Sequence, residues 1–316
     1  MNEESNSFVG RSGEIWTNAG DGRFKYSLGD SPFSPGPWTD IQTSHNSLPT
    51  SGSPEGYEGH KEETNNKAKK VPLNILAIGD VHGREVLSRI DPDPYDKTIF
   101  LGDYVDSHDD QELPDARILE NLKAIIAFKN FHPDKVLLLL GNHDVHYMYH
   151  GEVDECSGFR SSMLADLQKL FLGNSALFQM AYQHKKTLFT HAGVSNSWYR
   201  ENNAAIQSEF LKINKEKLPL KILLAEIFNL LRSTEAGRRI LFQVSGLRIW
   251  PQDLLQSGGI IWADQEEIDY DYLKGYHQVV GHTVVKAIEK KMDYHDDRSS
   301  ITYIDTESRE FLELSL

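Results

Sequence analysis

Short apolar runs that each stop at a glycine and then at metal-ligating side chains constrain this chain more than any other feature. Ile75-Leu-Ala-Ile78 stops at Gly79-Asp80-Val81-His82-Gly83. Thr98 to Leu101 stops at Gly102-Asp103-Tyr104-Val105-Asp106, and Val136 to Leu140 stops at Gly141-Asn142-His143-Asp144. Two later runs repeat the form: Thr187 to Thr190 delivers His191, and Gln278 to Val280 delivers Gly281-His282. Short apolar runs bounded by glycine read as fully buried strands. Ligands of an open α/β sheet collect just past the carboxyl ends of its strands. Glycine at those ends lets the backbone turn sharply without a Cβ clash. The pattern therefore predicts one site built from several strand ends.

The residue types state the chemistry. Asp80, His82, Asp103, Asn142, His191 and His282 offer carboxylate, amide oxygen and imidazole, with no thiolate. That mixture suits two divalent ions, manganese, iron or zinc, rather than a structural cysteine site. Asp103, delivered by the second strand, is the natural carboxylate to bridge them.

Gly-Asp-Val-His-Gly, Gly-Asp-Tyr-Val-Asp, Gly-Asn-His-Asp, His191-Ala-Gly and Gly281-His282-Thr, in this order, resemble the calcineurin-like metallophosphoesterases. The Gly-Asp-Tyr-Val-Asp wording resembles their phosphoprotein phosphatase branch, of the bacterial serine/threonine phosphatase or diadenosine tetraphosphate hydrolase type. Any one tripeptide is weak; five in order, over roughly residues 72 to 306, are specific. The resemblance implies an α/β fold of two mixed sheets packed face to face with helices outside, the site at one end. It implies that Asp80 and His82 bind a first metal, that Asp103 bridges, and that Asn142, His191 and His282 bind a second. A metal-bridging hydroxide then attacks a phosphate monoester, phosphoserine or phosphothreonine in protein included. His143 becomes the acid that protonates the leaving oxygen, with Asp106 orienting its imidazole.

Departures from the family pattern matter as much. Asp144 stands where phosphoprotein phosphatases have Glu and dinucleoside polyphosphate hydrolases have Asp; it supports the ligands at most. Val284 occupies the position of a second His found across the wider superfamily, so the first metal has fewer protein ligands. Ser107, followed by His108, replaces the Arg that grips substrate phosphate in the family. A bidentate contact must then come from elsewhere or be absent. Arg84, Arg160 and Arg248 are the candidates, with Arg84 and Arg248 taken as the substrate-binding pair. Asp144, the missing Arg and the Gly281-His282-Thr wording favour a rival reading, hydrolysis of dinucleoside polyphosphates or other small phosphoanhydrides. A metal-binding scaffold without activity is the third reading.

Composition narrows the partners. The net charge of −14 argues against a nucleic-acid binder. It does not exclude phosphorylated protein or small phosphoester substrates, because bound metals bring local positive charge. No run approaches the roughly 18 apolar residues of a membrane span. The first thirty residues lack a secretory apolar core. Cys156 is the sole cysteine, which fits a reducing compartment and a cytoplasmic location. Nothing sets the oligomeric state.

Along the chain, residues 1–42 read as a small β-like appendage with a hairpin of Glu14–Thr17 and Arg23–Leu28. Residues 43–70 read as a linker and 71–316 as the metallophosphoesterase domain. Helices are expected at Arg84–Ile90, Leu113–Asn130 (a crossover between parallel strands), Ser161–Leu172, Ala204–Ile213 and Leu220–Leu231. The insertion at about 199–257 is either a cap shaping access to the site or helices flanking a sheet. The acidic run Glu266, Glu267, Asp269 and Asp271 reads as a solvated loop. Ser300–Ile304 and Arg309–Leu314 read as a terminal hairpin. His146 and His150 are structural or substrate-lining, and His184, His277 and His295 structural.

Overall fold

The computed structural model describes residues 7–9, 15–18, 23–27, 71–106, 113–215, 222–248 and 256–316. The expected linker at 43–70 and most of the expected appendage lie outside the described residues. Residues 1–29 and 73–316 belong to one compact unit.

Two mixed sheets form that unit. The first has eight strands in the order β1 (Ser7–Val9), β2 (Ile15–Asn18), β3 (Arg23–Ser27), β13 (Phe311–Ser315), β4 (Asn74–Ile78), β5 (Lys97–Phe100), β6 (Val136–Leu139) and β7 (Phe178–Gln179). The second has five: β11 (Glu289–Met292), β12 (Ser300–Tyr303), β10 (His277–Val280), β9 (Thr187–Thr190) and β8 (Ala181–His184). Strands β4, β5 and β6 run parallel, with Ile75 opposite Lys97 and Thr98 opposite Val136. Parallel neighbours need a crossover, and helix α1 (Asp115–Phe131) supplies it between β5 and β6. Pro114 directly precedes α1, and Ile118, Leu122, Ile125 and Ile126 are its buried apolar face. In the second sheet β9 and β10 are also parallel. Strand β2 pairs antiparallel with β3, and β3 runs parallel to β13.

Strict alternation explains why β4, β5 and β6 carry apolar side chains on both faces. Ile75, Ala77, Ile99, Leu101, Leu137 and Leu139 point toward the second sheet and pack with Phe189, Val279 and Ile304. Leu76, Ile78, Phe100, Val136 and Leu138 point the other way, into the helical core with Ile118, Leu122 and Ile125. Each of the larger side chains among them contributes roughly 1.5–3 kcal/mol of burial. A third cluster, including Ile268, Val280, Ile301 and Tyr303, covers the outer face of the second sheet.

The expected terminal hairpin is wrong. Strand β12 lies in the second sheet beside β10 and β11, and β13 lies in the first beside β3 and β4. The intervening residues form a corner between sheets rather than a reversal within one. Glu307 and Ser308 are both left-handed there, at φ 55° and 61°. The Arg89 guanidinium donates to the carbonyls of Ser308 and Arg309 and pins the corner.

Several expected elements shift: Ala204–Ile213 lies within a longer helix, Asn196–Asn214, and the helix within Leu220–Leu231 is Leu224–Leu231. Arg84–Ile90 forms only a single 3-10 turn at Leu87–Arg89. After a 3-10 turn at Ser161–Met163, helix α3 spans Leu164–Gly173. The acidic run is not a loop: Gln265–Asp269 is helical (α7 below), started by Asp264, whose side chain accepts from Glu266 N. Its acids have partners, Glu267 taking the Gly258 N–H at 3.0 Å and Asp269 taking Lys291 Nζ at 2.6 Å.

Helix α2 (Asn142–Met148) follows β6 directly. Helices α4 (Asn196–Asn214), α5 (Leu224–Leu231) and α6 (Glu235–Leu241) make up the insertion, and α7 is Gln265–Asp269. Asn229 on α5 satisfies the chain beside β8, accepting from Met180 N and Ala181 N and donating to the Ala181 carbonyl. Arg238 on α6 pairs with Glu152 at 2.6 Å and lies over the Tyr149 ring at 4.6 Å. The insertion is thus fastened both to a sheet edge and to the segment following α2. Among the described residues no helix is long and apolar enough to cross a membrane.

Candidate metal centre

All six predicted ligand residues meet where β4, β5, β6, β9 and β10 end. Asp80, His82 and Asp103 form one group, and Asp103, His191 and His282 another, with ligand atoms within 4.8 Å of one another in each. Asn142 joins the second group: its Oδ1 is 2.9 Å from both His191 Nε2 and His282 Nδ1. Asp103 is common to both. Its Oδ1 accepts the His143 N–H at 2.9 Å, while Oδ2 lies 3.4 Å from His191 Nε2 and 3.8 Å from His82 Nε2.

The imidazoles are aimed from behind. His191 Nδ1 donates to the Leu101 carbonyl at 2.9 Å, and His82 Nδ1 donates to the Asp106 carbonyl. These bonds assign the proton to Nδ1 and turn the Nε2 lone pairs inward. Asp80 accepts the His282 N–H at 3.0 Å. His82, Asp103 and His282 all adopt left-handed φ, at 48°, 50° and 63°. Non-glycine residues pay about 1–3 kcal/mol for such backbone, and they cluster at functional sites.

Glycine acts here in two ways. Gly102, at φ 112°, makes the sharp turn that the sequence suggested. Gly141 and Gly281 are outside the left-handed region and serve another purpose. A Cβ on Gly141 would strike the Asp103 carboxylate and approach His191 Cε1 to 2.7 Å, and one on Gly281 would strike the Asp80 carboxylate. They make room for the carboxylates rather than a turn.

The donors fit divalent cations on electrostatic grounds. Asp80, Asp103, Asp144 and Asp305 are all buried. Burial, then the charges of Asp305 and Asp103, push Asp80 well above the ordinary carboxylate range. Burial and Asp103 do the same to Asp144. Two inward lone pairs, on His191 Nε2 and Asn142 Oδ1, face each other at 2.9 Å. Such crowding of negative charge and lone pairs is relieved by cations held between them.

His143 adjoins these groups without joining them. Its Nδ1 is 2.7 Å from Asp106 Oδ1, and its ring stands edge-on to His82 at 5.0 Å. Burial opposes the imidazolium, but Asp103 and the Asp106 hydrogen bond outweigh it and raise His143 to about 9. Burial raises Asp106, yet the hydrogen bond to His143 and the nearby His146 hold it below the usual range.

Other expectations resolve residue by residue. Asp144 binds three backbone N–H groups, of Asp103, Tyr104 and Gly141, at 2.8–2.9 Å, and so locks β5 to the start of α2. Arg84 lies close enough for its charge to act on Asp305. Arg160 is committed to Asp115 Oδ1 at 3.0 Å and to the Leu113 carbonyl at 2.6 Å. The Arg248 side chain, Ser107 and His108 lie outside the described residues. His150 stacks on Phe159 at 5.7 Å, and His277 bonds Ser300 Oγ at 2.8 Å. Val284 is 55% exposed.

Sequence reasoning missed Asp305, Tyr147 and the approach of His146 to Asp106. Tyr147 was discoverable, because a helix starting at Asn142 puts positions 143, 146 and 147 on one face. Trp262, edge-on to His282 at 5.8 Å, comes from the segment between α6 and α7.

The structure is similar to the cold-active protein-tyrosine phosphatase of a psychrophilic Shewanella species, at 17% identity and TM-score 0.43, covering 97% of this chain and 91% of the other. It is also similar to a protein serine/threonine phosphatase from Saccharomyces cerevisiae, at 17% identity and TM-score 0.39, covering 74% and 67%. A metallophosphoesterase from Sphaerobacter thermophilus matches at 15% identity and TM-score 0.23, covering 41% and 54%. The calcineurin-like phosphoesterase family model matches residues 73–286, more than half of the chain and all five strand ends that build the site. With donors, strands and family pattern in agreement, this chain belongs to the calcineurin-like phosphoesterases.

Proposed function

We propose that the chain is a dinuclear metal-dependent phosphoesterase of the phosphoprotein phosphatase-like branch, removing phosphate from monoesters such as phosphoserine and phosphothreonine in proteins. Asp80, His82 and Asp103 would hold one divalent cation, and Asp103, Asn142, His191 and His282 a second, manganese first and iron or zinc next. Such a pair supplies Lewis acidity toward the phosphoryl oxygens and a water made nucleophilic at neutral pH. The other steps fall to side chains. The leaving alkoxide needs a proton, and we assign its delivery to His143. With Nδ1 bonded to Asp106, the imidazolium gives up its Nε2 proton as the phosphorus–oxygen bond breaks. Asp106 supports the charged ring beforehand.

One observation carries this reading: His143 sits beside the converging donors, is bonded to a buried carboxylate at 2.7 Å, and is not one of the donors. A site that only held metal would have no use for that pair. The insertion of α4 to α6, fastened to Glu152 through Arg238, would act as a cap that shapes access. The single cysteine fits a reducing compartment, and we place the enzyme in the cytoplasm.

A second reading, hydrolysis of dinucleoside polyphosphates or small phosphoanhydrides, is favoured by Ser107 in place of the family Arg and by Asp144 in place of Glu. Side-by-side turnover with added manganese separates the two, using a phosphothreonine peptide and diadenosine tetraphosphate, with Asp103→Asn as the blank. We expect the peptide to be preferred. Preference for the nucleotide would replace the first reading with the second. Turnover of neither, nor of any aryl phosphate, would leave a metal-binding scaffold.

A further inference from the structure

We infer that His146 and Tyr147 are positioning residues for the proton donor, acting on His143 through Asp106; the inference rests on the general-acid reading above. Asp106 is fully buried and takes three side-chain partners from one helix. His143 Nδ1 meets Oδ1 at 2.7 Å, His146 Nε2 lies 3.2 Å from Oδ2, and the Tyr147 hydroxyl donates to Oδ2. Residues at i, i+3 and i+4 share a helix face, so the first turns of α2 present all three to one carboxylate.

Asp106, His143 and His146 have spacing that a metal would also accept. Backbone donors decide against it. The Cys156 N–H donates to His146 Nδ1 at 2.9 Å. Nδ1 therefore holds the lone pair and Nε2 holds the proton, beside Asp106 Oδ2 but not aligned as a hydrogen bond. A protonated nitrogen cannot ligate a cation. In the same way the Arg160 N–H donates to the Tyr147 hydroxyl at 2.8 Å, which leaves the hydroxyl proton for Asp106.

The far side of this network is clamped. Phe159 stacks on Tyr147 at 5.1 Å and stands edge-on to His146 at 5.2 Å. Arg160, which follows, is anchored to Asp115 at the start of α1. With Oδ2 held by the Tyr147 hydroxyl and His146 packed against it at 3.2 Å, the Asp106 carboxylate is fixed and Oδ1 is kept for His143. The proton donor is thus aimed by a chain of contacts running from the Cys156–Arg160 segment through α2 to Asp106.

The test measures kcat on p-nitrophenyl phosphate, a good leaving group, and phenyl phosphate, a poor one, for the manganese-loaded protein. His143→Ala is run first and should lose most on phenyl phosphate. His146→Leu and Tyr147→Phe should lose about tenfold on phenyl phosphate, a fraction of the ~10²–10⁴ a positioned donor contributes. They should lose less than about threefold on p-nitrophenyl phosphate, with KM and manganese content unchanged. His146→Gln, whose amide N–H can reach Asp106, should recover most of the loss. A second readout is the downfield proton NMR signal of His143 Nδ1–H in metal-free protein, identified by its absence in His143→Ala. It should move upfield or broaden in Tyr147→Phe. Equal losses on both substrates, or an unmoved proton signal, would overturn the inference. If His143→Ala itself loses equally on both, the general-acid reading fails; the proton signal still decides whether Tyr147 positions the ring.

Discussion

At the first candidate metal position two carboxylates and one imidazole converge, whereas at the second one shared carboxylate meets an amide and two imidazoles. The first is dense in charge: Asp305 and Asp144 crowd Asp80 and Asp103 from behind. The second is more nearly neutral, with His191 and Asn142 buried and the inward His191 nitrogen set by the Leu101 carbonyl. The contrast teaches how one site would hold two cations. Repulsion among buried carboxylates would be relieved by a cation at the first position, and fixed lone pairs would coordinate one at the second. Asp103 belongs to both, since one of its oxygens faces His82 and His191 together.

The largest effect should come from the shared residue. Asp103→Asn is expected to abolish turnover, by more than about 10³-fold, and to weaken both manganese sites in a titration, because metal catalysis supplies several kcal/mol. Loss at only one site would mean that Asp103 does not bridge. Asp80→Asn is the matched control. It should reduce turnover about 10²–10³-fold on the same grounds while weakening a single manganese site.

The glycines sharpen the comparison at smaller scale. An alanine methyl at Gly141 presses on the Asp103 carboxylate and the His191 ring, whereas one at Gly281 presses on the Asp80 carboxylate alone. Overpacking of this kind costs about 1–3 kcal/mol. Gly141→Ala should therefore weaken manganese at both positions, and Gly281→Ala at the first only. Calorimetric titration of the two variants checks this; indistinguishable isotherms would remove the steric account.

The site was legible in the sequence because its geometry is local. A buried strand ending in Gly and a ligand says where the side chain goes, and β4, β5, β6, β9 and β10 deliver their residues accordingly. The βαβ step through α1 followed from a period of 3.6 between two apolar runs. Features set by distant contacts were not legible. The hairpin expected at the end failed because Glu307 and Ser308 adopt left-handed φ without glycine, held by Arg89 more than two hundred residues earlier. The acidic run looked solvated because its partners, Gly258 N–H and Lys291, are remote from it. His146 looked like a cleft residue because nothing local reveals that Cys156 N–H fixes its tautomer.

The smallest effect tests whether the first position is short of a ligand by necessity. The wider superfamily places a second His where this chain has Val284. Val284 is 55% exposed, while Val285 beside it is buried and donates its N–H to the Asp305 carbonyl at 2.8 Å. The exposure of Val284 directs a His at that position to solvent, while the backbone at 285 is held in place. Val284→His should change manganese affinity at the first position by less than about twofold and stability by under ~0.5 kcal/mol, as for other exposed substitutions. A gain of tenfold or more in affinity would show that the 282–285 segment can turn this side chain inward. The first position would then be missing a ligand only because of the residue type at 284, and the asymmetry between the two positions would be a property of that side chain rather than of the fold.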